Sequence, residues 1–250
     1  MTHRKSGTRP MIYYLHPKDS RNLAQKEEDL KKLPREYQEY YRELVKFVPY
    51  QRVYIDPLYT LGYGIDASFY RLIPKIVIRV ANNEEMGEIL PLSQRMKIPV
   101  TFRTAGTSLS GQALSDSVLL VLQGSWRHYN IEDEGKKITL EPGILGVEAN
   151  RYLRKYKRKI GPDPASIDHC MIGGIAANNA SGMCCGTSDN SYKTVEEMKI
   201  IFDDGTVLDT SDPASRQYFL ERKKDLIKQI EEIRDEINSD PSLVEKIKQK

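Results

Sequence analysis

Apolar positions recur at helical spacing between Asp19 and Val48, in two pieces separated near Leu33-Pro34. In the second piece Tyr37, Tyr41, Leu44, Val45 and Val48 share one face, Pro34 suits a first helical turn and Pro49 marks the stop. The tyrosines from Tyr37 to Tyr41 read as core packing. The next stretch, RVYIDPLYTLGYGIDASFYRLIP, is aromatic-rich and interrupted by Gly62, Gly64 and prolines. It predicts an irregular but packed path, too apolar for a loose linker.

From Lys75 the pattern changes to alternating strands and helices. KIVIRV is a short β-branched run that reads as a buried strand, and Asn83 is placed to cap a helix from Glu84 to about Met96. Pro91 inside that helix predicts a kink or a break, because proline cannot donate the intrahelical bond. PVTFR and SVLLVL predict two more strands, and KKITLEPGIL a further one. Val147 to Tyr156 predicts a helix whose outer face is basic (Arg151, Arg154, Lys155, Lys157, Arg158, Lys159). EEMKIIFDDGTVLDT reads as a hairpin around Asp204-Gly205. From Ala214 a charged amphipathic helix carries Leu226, Ile230, Ile233 and Ile237 as a stripe that calls for a partner. SLVEKIKQK continues the helical pattern without a Gly or Pro stop, which predicts a longer protein cut here. The first ten residues are polar and expected to be disordered. No internal repeat or low-complexity tract interrupts the pattern.

Composition narrows the class. With 250 residues, 39% of them hydrophobic, the chain can bury one large core or two smaller ones. No run approaches the roughly 18 apolar residues of a membrane-spanning helix, and the start lacks the apolar centre of a secretory signal. The chain therefore reads as cytoplasmic and without a transmembrane segment. A net charge of +3 does not point to a nucleic-acid partner. Cys170, Cys184 and Cys185 are odd in number and lack CxxC spacing, so they read as inert, partly buried thiols with no metal site. The basic run on the helix from Val147 reads as a solvated face. His128 has no assigned role.

Two segments carry candidate chemistry. The first, RTAGTSLSGQ, is Arg103, Thr104, Ala105, Gly106, Thr107, Ser108, Leu109, Ser110, Gly111 and Gln112, following a predicted strand. Its small residues leave backbone N–H groups free to converge on a phosphate, with hydroxyls as further donors. It lacks the Walker A lysine and the GxGxxG spacing of a dinucleotide-binding turn, which argues against ATP and NAD. Taken alone, an ordinary surface loop is the better reading. The second, GPDPASIDHCMIGGIAANNASG (Gly161 to Gly182), has almost no side-chain bulk, so another body can lie against its backbone. Taken alone, tight chain packing is favoured. Two such segments on loops of one alternating pattern point instead to a large phosphate-bearing ligand held between them.

The order of these segments resembles the FAD-binding (PCMH-type) domain of the vanillyl-alcohol oxidase and para-cresol methylhydroxylase superfamily. Within it, the DPLYTLGYGIDASFYRLIPKIVIRV lead-in and CCGTSDNSYKT are similar to FAD-linked 2-hydroxy-acid dehydrogenases of the D-lactate, glycolate and D-2-hydroxyglutarate type that carry a C-terminal iron–sulfur region. The resemblance covers roughly Arg52 to Thr210. It implies an α+β fold of two small mixed subdomains with FAD between them. It also implies three regions: a helical extension and lead-in (1–69), the FAD-binding domain (70–211) and the start of a helical insert or truncated C-terminal region (212–250).

What the resemblance implies for individual residues is equally specific. The loop from Arg103 to Gln112 would hold the pyrophosphate, with Thr107, Ser108 and Gln112 adding side-chain bonds. Pro164, Ile172, Gly173, Gly174, Ala177, Asn178, Asn179, Ser181 and Gly182 would line the flavin and ribityl side, and Ile200 the adenine end. Asn190 lies where this chain reads SDNSYK rather than the family's Tyr-Gly pair and Asp. No His lies in the first loop, which implies noncovalent FAD. The full enzyme would oxidise a 2-hydroxy acid and pass electrons to a quinone or an iron–sulfur protein, at a cytoplasmic site or peripherally at the membrane face. Catalytic residues and any iron–sulfur cluster would lie beyond Lys250, so this chain alone would be inactive. Two alternatives are a non-catalytic FAD-binding subunit of a multi-chain complex and an NADPH-linked flavin reductase of the same superfamily.

Overall fold

Two helical pieces with a proline between them become α1 (Leu23–Leu30) and α2 (Arg35–Leu44) in a computed structural model that describes residues 23–249. The first ten residues and the start of the Asp19 pattern lie outside the described residues. Tyr40, Tyr41 and Leu44 form the buried face of α2, and Tyr40 shares a 2.8 Å hydrogen bond with Ser93. Lys26 of α1 is 1% exposed, and its ammonium donates to the carbonyls of Tyr50 (2.5 Å) and Val53 (2.8 Å).

The lead-in is more regular than its glycines and prolines predict. A 3-10 turn (Tyr50–Arg52) feeds β1 (Val53–Tyr54), and α3 (Pro57–Gly62) begins at an Asp56 cap whose carboxylate accepts the Leu58 N–H at 2.6 Å. Proline at the first helical position is favoured because its missing N–H has no intrahelical partner to lose. The path is irregular only beyond α3, and there Phe69 stands 86% exposed.

β2 (Ile76–Arg79), α4 (Asn83–Met96), β3 (Val100–Arg103) and β4 (Val118–Val121) follow. They build a four-stranded sheet in the order β1-β2-β4-β3, with β1 antiparallel to β2 and the other pairs parallel. Val118, Leu119, Leu120 and Val121 of the central strand are fully buried, each contributing about 1.5–3 kcal/mol of transfer free energy. The cap of α4 is Asn82, one residue before the expected Asn83, and its side chain accepts the Glu85 N–H at 2.8 Å. Nor does Pro91 break the helix. The helix runs on through Pro91 to Met96 with no hydrogen bond donated from that position.

The strand β5 (Tyr129–Glu132), absent from the sequence reading, pairs antiparallel with β6 (Lys137–Leu140). α5 (Gly146–Leu153) continues into a 3-10 turn (Arg154–Tyr156), and the short helices α6 (Ile172–Ala177) and α7 (Ser191–Thr194) complete this unit, which ends at Val195.

A second compact unit begins at Glu196. Its hairpin, β7 (Lys199–Ile201) and β8 (Val207–Asp209), turns at Gly205 with φ +81°, and Phe202 meets Phe219 with ring centroids 4.8 Å apart. The helix expected from Ala214 is two helices, α8 (Pro213–Arg222) and α9 (Lys224–Ser239), followed by α10 (Pro241–Lys248). The break falls at Lys223, which leaves helical geometry and places its ammonium 2.7 Å from Asp204. The division after Val195 falls within the 70–211 span expected for one domain. The architecture is the expected α+β class, and no helix among the described residues is long and apolar enough to cross a membrane.

Candidate functional site

The parallel strands β2, β4 and β3 end on one edge of the sheet, and the first small-residue segment leaves the carboxyl end of β3 there. In open α/β sheets this edge is where ligands bind. Among the described residues, the N–H groups of Ala105, Gly106, Thr107, Ser108, Leu109 and Gly111 meet no protein acceptor. Ser108 Oγ accepts from the N–H of Ser110 (3.2 Å) and of Gln112 (3.4 Å) and donates to Gln112 Oε1 (3.0 Å), so these two side chains are partly engaged within the loop. Gly106 and Gly111 have φ of +74° and +73°, which turns the backbone as few other residues could.

The lead-in holds this loop from behind. Arg103 Nη1 donates to the carbonyls of Tyr63 (3.2 Å) and Ile65 (2.7 Å), and the Ala67 N–H donates to Gly106 O at 3.0 Å. A side chain at Gly106 would collide with the Arg103 guanidinium, and one at Gly111 would press on the Tyr70 ring. Burial lowers the Arg103 pKa, opposed by Tyr63 and Asp66. Sequence reasoning missed Tyr63, Asp66, Ala67 and Tyr70 as supports. The usable signal was Asp66-Ala67-Ser68, an Asx turn in which Asp66 Oδ1 accepts the Ser68 N–H at 2.8 Å.

The second segment meets the first at Thr104. A Cβ at Gly173 would stand 3.0 Å from Thr104 Cγ2, and one at Gly174 3.2 Å from Thr104 Oγ1. The start of α6 is anchored by the Ile172 N–H on Ile144 O (2.9 Å) and the Gly173 N–H on Pro142 O (3.0 Å). Gly182 lies on the backbone of Asp163 and Pro164 so closely that a Cβ would fall 1.7 Å from Asp163 O. Gly174, Ala177, Asn178 and Ser181 are exposed. Asn179 adopts φ +44° and accepts the Tyr192 N–H at 3.0 Å, while Asn190 caps α7 by accepting the Lys193 N–H at 3.0 Å. Arg103 to Gln112, Pro164 and the run Ile172 to Asn190 thus lie in one unit, and Ile200 lies on β7 of the other.

Neither of two surface cavities includes these residues. One, of about 200 Å³, lies between α1 and the lead-in, and the other, of about 450 Å³, is bordered by Lys136, Lys155, Lys157 and Arg158. Cys170 and Cys185 are buried and Cys184 is exposed. Burial pushes the Cys170 thiol up, away from the reactive thiolate.

The donor set suits a pyrophosphate: free N–H groups on a loop without a carboxylate, beside a helix start reduced to glycine. The comparisons with known proteins agree. The FAD binding domain family matches residues 74–211. Glycolate oxidase subunit GlcD of Escherichia coli (strain K12) is 34% identical over 120 residues, 47% of this chain and 24% of that protein. The mitochondrial D-lactate dehydrogenase [cytochrome] of Arabidopsis thaliana is 27% identical over 153 residues, covering 60% of this chain and 27% of the relative. D-2-hydroxyglutarate dehydrogenase of Escherichia coli (strain K12) is 24% identical over 157 residues, 60% of this chain and 15% of that one. This chain therefore spans about a quarter or less of the length of these relatives. Among solved structures, an alkyldihydroxyacetonephosphate synthase shares the fold with a TM-score of 0.62 at 18% identity, over 73% of this chain and 38% of that one. With more than half of the chain matched, the protein belongs to the family of FAD-binding domains, of the PCMH type that its two small-residue segments resemble.

Proposed function

We propose that this chain is the flavin-binding part of an FAD-linked oxidoreductase that converts a 2-hydroxy acid to the 2-oxo acid. The relatives named for glycolate, D-lactate and D-2-hydroxyglutarate share that chemistry, which supports the class and leaves the individual acid open. The observation that carries the reading is the loop at the carboxyl end of β3, with its unpaired N–H groups abutting Gly173 and Gly174 through Thr104.

In this reading the loop from Arg103 to Gln112 holds the pyrophosphate of noncovalent FAD. Pro164 and the run Ile172 to Gly182 line the flavin and ribityl side, Asn190 fixes the turn behind them, and Ile200 serves the adenine end. Bound FAD supplies a two-electron acceptor for the hydride at C2 of the substrate. This chain's residues bind and orient. Proton transfer, the substrate carboxylate site and the electron-accepting quinone or iron–sulfur partner belong to other parts of the enzyme. The setting is cytoplasmic.

The test is retention of flavin absorbance after desalting the purified chain from added FAD. Wild type is expected to retain it without bleaching on addition of glycolate, D-lactate or D-2-hydroxyglutarate. Gly174→Leu is expected to lose it while remaining folded, because Gly174 is exposed and, among the described residues, a Cβ there meets only Thr104 Oγ1, at 3.2 Å. Equal retention by this variant would remove Gly174 from the site. Colourless wild type at saturating FAD would count against the reading as a whole.

A further inference from the structure

Arg103 Nε and Asp66 Oδ2 are both shut off from solvent, and neither has a hydrogen-bond partner among the described residues. Leaving a buried polar atom unmet is costly, so an arrangement that keeps two such atoms at one place calls for an explanation. Both belong to the seam between the lead-in and the first loop. Arg103 Nη1 is occupied by Tyr63 O and Ile65 O, Gly106 covers the guanidinium, and the Ala67 N–H returns to Gly106 O. Asp66 Oδ1 is occupied by the Ser68 N–H, which fixes the carboxylate, and Asp66 acts electrostatically on Arg103. The carboxylate therefore steadies the cation without filling its fork. A guanidinium neutralised by a bidentate carboxylate would offer little field to an anion, whereas this one keeps a positive charge directly beneath Gly106.

We propose that Asp66 and Arg103 act as one positioning unit that sets the loop from Thr104 to Leu109, so that its N–H groups converge on the diphosphate of the dinucleotide. The lead-in from Tyr63 to Tyr70 is then an integral wall of the cofactor site. This rests on the FAD reading above. It also reverses the simplest electrostatic expectation, in which removing a carboxylate near a phosphate site tightens binding.

The experiment is FAD titration of the 250-residue chain, followed by flavin fluorescence, for wild type, Asp66→Asn, Arg103→Lys and the double variant. Each single substitution is expected to weaken binding about tenfold, the scale of one charge-assisted contact. The double variant is expected to be no weaker than the worse single, because partners in one unit are not additive. Asp66→Glu keeps the charge and displaces the carboxylate, and it is expected to weaken binding as well. Urea midpoints without FAD separate a structural role, which would lower the midpoint and leave the affinity of the folded chain unchanged. Asp66→Asn binding as tightly as wild type or tighter, or single effects that multiply, would overturn the proposal with the FAD reading intact. Wild type that binds no FAD would overturn both.

Discussion

Glu148 lies at the third position of α5, 4% exposed, with its carboxylate gripped by Arg127 Nη2 through both oxygens. The same group accepts the Leu145 N–H at 3.2 Å and reaches Arg151 at 3.5 Å. Glu148→Gln keeps the shape and removes the charge, so Arg127, 20% exposed, loses the carboxylate it grips through both oxygens. Removing one partner of a buried pair costs about 3–5 kcal/mol. Partial exposure of Arg127 and the acceptor retained by the amide reduce this to about 2–3 kcal/mol. With a urea slope of about 2 kcal/mol per molar, the midpoint should fall by about 1–1.5 M. The assay is intrinsic to this unit. Trp126, the single tryptophan, adjoins Arg127, is buried, and donates its indole N–H to Val80 O at 2.6 Å, so its fluorescence reports unfolding around the pair. Replacing both partners with apolar residues, Arg127→Met with Glu148→Leu, should restore most of the loss, because the buried charges leave together, and what goes with them is the contact to Arg151, 64% exposed, and the acceptor of the Leu145 N–H. A fall below about 0.5 kcal/mol, the range of ordinary surface substitutions, would refute the reasoning.

Three further predictions follow from other contacts. Lys223 beside Asp204 holds that carboxyl down at about 2 from its usual 3.8, so the pair stabilises the Glu196–Lys250 unit above pH 4 and that contribution is lost as pH falls toward 2. Asp204→Asn should lower stability at neutral pH by about 1 kcal/mol after solvent screening and flatten the acid limb, read by amide exchange at Ile200 and Leu208. Lys26→Met strips the cation from the carbonyls of Tyr50 and Val53 and should destabilise by about 1–3 kcal/mol in urea. Gly182→Ala forces the backbone away from Asp163 O, and a loss of about 1–3 kcal/mol with lower flavin retention is expected from the same titration and desalting measurements.

The elements legible in the sequence are those whose signal is local. The Asp204-Gly205 hairpin needs a left-handed residue, and Gly205 supplies it; the β2 run is β-branched because both faces of the sheet are covered there. β5 escaped because the alternation of Tyr129 and Ile131 with Asn130 and Glu132 lasts only four residues and three of them are exposed, and its stability comes from pairing with β6 and from Tyr129 stacked on Tyr152 at 4.0 Å. Asn82 and Asn83 are chemically equivalent caps, and only the start of α4 distinguishes them. α3 was readable from Asp56-Pro57, a cap followed by proline, had the glycines of the lead-in weighed less. The candidate site divides in the same way. The two small-residue segments announce themselves by composition, whereas their mutual contact through Thr104 and the lead-in behind them arise from tertiary packing about 40 to 70 residues apart, which no periodicity encodes.

Packing also separates two kinds of glycine that the second segment presents as one motif. At Gly182 a Cβ would overlap Asp163 O, and at Gly173 it would stand 2.8 Å from Pro142 Cβ, so the chain itself requires glycine at both places whether or not a ligand is ever bound. Gly174 is different, being exposed, and among the described residues the one group close to a Cβ there is Thr104 Oγ1 at 3.2 Å, a side-chain end that can turn aside. Gly174 and the unpaired N–H groups of the loop after Thr104 are therefore the features that point to a ligand. Loss of flavin from Gly182→Ala would follow from a displaced backbone and carry no information about contact with the cofactor. Loss from a folded Gly174→Leu variant would locate the cofactor against this turn, because among the described residues only Thr104 Oγ1 approaches a Cβ there.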